Sequence, residues 1–167
     1  MKSLSIAIVL GLSAFASAQE AKLEVSGMNF ALPTGWKSVT PSSNMRKAQL
    51  EISVAGQEKP LTAVFFQFGG DVESNVARWK NQFSGTVDTK TEEVEAGGKK
   101  ITMFKGTGTY TDPFSGAGAQ ENYALIGALI PMEDAGPVII KLAGPKDSTL
   151  AIYETLKALA TSPFAKK

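Results

Sequence analysis

The chain contains no cysteine and no histidine. The first absence removes disulfides, thiol nucleophiles and thiolate metal ligands; the second removes Ser-His-Asp triads, imidazole general bases and the usual structural zinc sites. No apolar run approaches the ~20 residues that a membrane-spanning helix needs. The two longest, Leu4–Leu12 and Ala124–Ile130, both fall far short. Excess charge is missing as well, with 17 Lys and Arg against 16 Asp and Glu, so the chain carries no field for nucleic acid or an anionic membrane. Neither a glycine-rich phosphate loop nor the nucleophile motifs G-x-S-x-G and S-x-x-K occur, and no cofactor or metal ligand set is expected.

What is there begins with a leader. Lys2 precedes the apolar run LSIAIVLGL, and Ala16-Ser17-Ala18 forms an A-x-A cleavage site before Gln19, which together read as a secretory signal peptide over residues 1–18. Residues 19–167 are then one domain of ordinary size. Without a cysteine at the cleavage site the mature protein is not acylated there, and it is expected to be periplasmic or secreted. Export also counts against kinase, ATPase and nucleotide-cofactor roles.

Beyond the leader, short strand-like runs alternate with turn residues. Lys22–Val25 and Met28–Leu32 flank Ser26-Gly27 as a small hairpin. Met45–Val54 alternates apolar and polar residues as a half-buried antiparallel strand does. Leu61–Phe68 (LTAVFFQF) is nearly continuous in apolar and aromatic residues and reads as a central strand covered on both faces. Val72, Val76, Trp79 and Phe83 then mark one face of a helix capped by Asp71 or Ser74 and stopped by Gly85. Thr86–Glu95 carries mixed charge before the hairpin turn Ala96-Gly97-Gly98. Lys100–Thr111, Tyr123–Ile130 and Val138–Leu142 are further strands. A closing helix spans Ser148–Thr161 with Asp147 as its N-cap. This order predicts an α+β domain, a mostly antiparallel sheet with one internal and one C-terminal helix packed on it.

The run F-x-L-P-x-G-W (Phe30–Trp36), a helix bearing Trp79 after a strand ending Phe-Gly-Gly, and K-L-A-G-P (Lys141–Pro145) before an amphipathic helix resemble the PsbP-like α/β/α sandwich superfamily. S-N-M-R (Ser43–Arg46), F-Q-F-G-G (Phe66–Gly70), N-V-A-R-W (Asn75–Trp79) and G-T-Y-T-D (Gly108–Asp112) more closely resemble small exported bacterial proteins of that superfamily with no assigned activity. The resemblance covers roughly residues 24–161 and implies the sandwich fold. It carries over no functional residue, and the chain lacks the long N-terminal extension of the photosystem members.

Candidate sites follow from the residues. Gly69-Gly70 before a helix could face an anion, but Asp71 and Glu73 stand there, and a plain strand-to-helix turn explains the pair. Glu92, Glu93 and Glu95, Asp112 with Glu121, and Glu133-Asp134 are the carboxylates that acid/base chemistry could use; solvated turns and edge-strand charge account for them better. Gly106 and Gly108 leave one strand face bare, open to a ligand or to a covering ring such as Tyr110 or Phe104. Phe114, after Pro113 in the loop that begins at Asp112 and runs on through Ser115–Ala119 (SGAGA), is the aromatic placed for a contact. Arg46 and Arg78 are the chain's two arginines, each expected in an internal ion pair or pairing a partner's carboxylate. Trp36, Trp79, Phe65, Phe66 and Phe68 are expected in the core. The sequence therefore points to a non-catalytic module binding an envelope or extracellular protein or a small ligand through Arg46, Tyr110, Asp112 and Phe114. The alternative is a carboxylate-dependent hydrolase of saccharide or cell-wall material.

Overall fold

A computed structural model describes residues 21–165; the leader lies outside the described residues. Strands β1 (Lys22–Val25) and β2 (Met28–Ala31) form a separate hairpin whose two-residue turn, Ser26-Gly27, has positive φ at both positions. That backbone twist matches the twist of paired strands. The main sheet comprises β3 (Trp36–Val39), β4 (Ala48–Ile52), β5 (Leu61–Gln67), β6 (Phe83–Ala96), β7 (Lys99–Thr111), β8 (Ala119–Ile130) and β9 (Val138–Pro145). Its seven strands are antiparallel throughout, in the order β3-β4-β5-β9-β8-β7-β6. Helix α1 (Val72–Lys80) joins β5 to β6, and α2 (Lys146–Ala151) and α3 (Tyr153–Thr161) follow β9. The fold is α+β with a C-terminal helical segment, as the sequence pattern requires.

Alternation along β5 sends its side chains to two cores. Leu61, Ala63 and Phe65 join Phe30, Tyr153, Leu156 and Leu159 on the face covered by α3 and the hairpin, with Phe30 edge-on to Phe65 at 5.2 Å. On the opposite face, Phe66 packs with Trp79 of α1 and with Phe104, Leu125, Leu129 and Ile139. Trp79 lies 5.4 Å from Phe104 and directly over Gly127, where an added Cβ would fall 2.6 Å from the indole. Glycine at this strand position is what allows the helix to seat its largest side chain on the sheet.

Several expectations are corrected. The helix ends at Lys80, and Phe83, expected on its apolar stripe, opens β6. There its ring packs at a tilt 5.4 Å from Tyr110 and crowds Gly106, so Phe83 and Phe104 cover the bare glycine face. Gly85 is not a helix stop; it sits in the register shift between Ser84 and Asp88. The charged stretch Thr86–Glu95, by contrast, is the expected hairpin arm, part of the 14-residue edge strand β6, where charge discourages pairing with another chain. Strand β8 begins at Ala119 and shortens the glycine loop. Gln49 of β4 is buried instead of facing water, because its amide oxygen is hydrogen-bonded within the fold. Pro145, not Asp147, precedes α2 and makes no side-chain cap, and the closing helix breaks at Ile152. Asp71 does cap α1, accepting from the Ser74 N–H at 2.7 Å.

Glu92 ties the edge strand to α3: it accepts from the Tyr153 hydroxyl at 2.8 Å and pairs with Lys157 at 2.7 Å. The Lys157 ammonium, with help from the Tyr153 hydroxyl, holds the Glu92 carboxyl below the ordinary glutamate value.

Two outcomes are expected. Trp79→Ala costs about 3–5 kcal/mol and Gly127→Ala about 1–3 kcal/mol in denaturant unfolding; losses under about 0.5 kcal/mol for both would mean that the indole is not seated on the sheet. The Glu92 carboxylate stabilises the fold above the ordinary glutamate pKa, and this contribution disappears as pH falls through the lowered folded value. Wild type should therefore exceed Glu92→Gln by less than about 1 kcal/mol at pH 7, since the pair is partly exposed, and the two should converge by pH 3. A gap that persists in acid would contradict the assignment.

Candidate functional site

Helix α1 is nine residues long and covers only part of its sheet face. Beside it, Val64, Phe66 and Phe68 emerge from β5 and its end at every second position, while Ile139 and Lys141 emerge from β9. Register pairs Val64 with Lys141 and Phe66 with Ile139, so these side chains form one floor. Three walls rise around it. Asn75, Arg78, Trp79 and Gln82 belong to α1 and its exit; Ser43, Met45 and Arg46 to the loop before β4; Asp112 and Phe114 to the loop after β7. The enclosed groove measures about 210 Å³.

Its electrostatics are lopsided. The Lys141 ammonium donates to the Gln82 amide oxygen at 2.9 Å and lies 5.6 Å from the centre of the Tyr110 ring. Burial pulls its pKa below the ordinary lysine value, with Asp112 acting weakly in the opposite sense. Arg46 donates through Nη1 to the Ser42 hydroxyl at 2.9 Å and to the Gln49 amide oxygen at 2.7 Å. Arg78 donates to the Asn75 amide oxygen at 3.2 Å. Among the described residues no carboxylate lies within 4.0 Å of any of these three cations. The internal ion pairs expected for Arg46 and Arg78 are therefore absent. Neutral amides and hydroxyls orient both guanidinium groups and leave their charge uncompensated.

Of the four residues singled out from sequence, the groove gathers Arg46, Asp112 and Phe114. Asp112 accepts from the Phe114 N–H at 2.9 Å, a local Asx turn that leaves the ring 81% exposed. Tyr110 is a correction. It is 3% exposed, packed between Phe83 and Tyr123 beneath Lys141, and its hydroxyl finds no partner. Burial drives its pKa up, with the Asp112 charge adding to the effect, so Tyr110 supports the floor from below instead of meeting a ligand. Sequence reasoning missed Lys141 and assigned Phe66 and Phe68 wholly to the core. A lone lysine inside the apolar run Val138–Leu142, and aromatics spaced by two in β5, were the available signals.

Carboxylates elsewhere are engaged or scattered. Glu133 pairs with Lys99 at 2.9 Å and Glu93 with Lys100 at 3.5 Å. Among the described residues no group of three or more Asp or Glu side chains gathers as a metal site would, and no helix is long and apolar enough to cross a membrane. Asp112 is the single carboxylate among the residues lining the groove.

Fold and groove define an antiparallel α+β sandwich with a cationic, apolar cleft on one face. No family model and no curated protein matches the chain. Among solved structures it resembles LpqN of Mycobacterium tuberculosis, a protein involved in cell envelope biogenesis, with a TM-score of 0.55 and 14% identity over 85% of this chain and 87% of that one. The likeness is one of fold.

Replacing Lys141 by Met is expected to leave unfolding free energy within about 1 kcal/mol of wild type, because the relieved desolvation of the ammonium offsets the lost bond to Gln82. A loss above about 3 kcal/mol would make Lys141 a structural residue.

Proposed function

We propose that the chain is an exported, non-catalytic accessory module of the cell envelope that binds its ligand in the groove beside α1. The observation that carries this reading is the meeting of Arg46, Arg78 and Lys141, none with a carboxylate within ion-pair distance, at an apolar cleft that exposes Phe114 and Met45. Keeping a desolvated ammonium and solvent-facing aromatics is costly for the fold alone and is explained by an anionic, partly apolar ligand. The signal-type leader supports export, the likeness to LpqN supports an envelope setting, and helices on both faces of the sheet support a place in the PsbP-like superfamily. A glycosidase needs two facing carboxylates, and Asp112 stands alone in the lining, so the hydrolase alternative receives no support from the groove.

Amide chemical shifts recorded on titration with an extract of the native envelope should move at groove residues. Phe114→Ala should abolish the response while the melting temperature stays within about 2 °C, as for an exposed side chain. Shifts confined to other surfaces, or a response unchanged in the variant, would overturn the assignment.

A further inference from the structure

We propose that the ligand of this groove is a single-chain amphiphile with an anionic head, of which a fatty carboxylate is the simplest member; the proposal rests on the groove-binding reading above. Charge comes first. Arg46, Arg78 and Lys141 face the cleft against one carboxylate, Asp112. The ammonium of Lys141 has exchanged water for an amide oxygen and an aromatic face, so an incoming oxyanion supplies the charge compensation that the fold withholds. The arginines, held through one nitrogen each by neutral acceptors, keep further donors for the same head.

The backbone narrows the class. Strands β5 and β9 form the floor, and each is hydrogen-bonded on both sides within the order β4-β5-β9-β8. An extended peptide docks by pairing with free backbone groups at a sheet edge, and the floor offers none. A helical peptide about 10–12 Å across enters a cleft of about 210 Å³ only through individual side chains, and its backbone finds no partner there. Recognition is thus left to side chains. A chain segment fills the cleft against Phe66, the remainder lies across the exposed Phe68 and Phe114, and the head meets the three cations.

The test uses the mature protein carrying Trp36→Phe, which leaves Trp79 in the groove wall as the fluorescent reporter. Laurate, kept below micelle formation, is titrated beside decanol, acetate, dodecyltrimethylammonium and a short peptide of Glu and Phe. Laurate should saturate the signal and bind at least about tenfold more tightly than decanol or the cationic amphiphile, with no response to acetate. Arg46→Met and, independently, Lys141→Met should each weaken laurate about tenfold, the scale of one charge-assisted contact, without weakening decanol; melting curves verify that each variant is folded. Equal binding of laurate and decanol overturns the anionic head, and tighter binding of the acidic peptide overturns the amphiphile. If envelope extract still shifts the groove amides while laurate does not bind, the ligand class falls and the groove-binding reading stands. If neither binds, both fall.

Discussion

The indole of Trp79 resting on Gly127 is the contact on which the architecture of this face depends. Van der Waals contact with a strand requires that no side chain intervene, and β8 supplies that gap in the middle of an otherwise apolar run. Once the ring is down, α1 is fixed over β7 and β8, its exit residue Gln82 reaches Lys141, and the floor formed by β5 and β9 is left uncovered beside it. The groove is thus the part of the sheet face that a helix of nine residues cannot reach.

Polar groups around the groove are arranged so that positive charge is positioned without being neutralised. Gln49 and Asn75 are both buried amides, each accepting from an arginine, and Gln82 does the same for the lysine. An amide can direct a cation by accepting one hydrogen bond yet leaves its Coulomb field intact, whereas a carboxylate would cancel it. Contrast the other side of the sheet, where Glu92 binds Lys157 and Tyr153 directly and the charges serve only to hold α3 to β6.

Much of the fold was legible in the sequence, and the reasons are local. Ser26-Gly27 and Gly97-Gly98 demand positive φ and fixed two hairpins; the aromatic run of β5 could only be central; Asp71 announced a helix start. Failures arose where tertiary contacts outweighed local pattern. Phe83 fits the helical period but pairs with Tyr110 in the sheet, and Asp147 suits an N-cap but Pro145 delivers the chain into α2 directly from β9. At the site, the loop residues Arg46, Asp112 and Phe114 could be picked out by type, since an arginine, an Asx turn and an exposed ring carry local signals. Their meeting could not be read, because it depends on β5 lying against β9 across more than seventy residues of chain. Tyr110 was misplaced for a related reason: Phe83 and Tyr123, from the two neighbouring strands, pack against its ring and bury it.

The two flanks of the sheet complete the picture. One is lined by Asp88, Lys90, Glu92, Glu93 and Glu95, and the other, β3, is only four residues long. A foreign strand therefore finds charge along one border and too little length along the other, and both features discourage edge-to-edge pairing of the kind that seeds cross-β stacking.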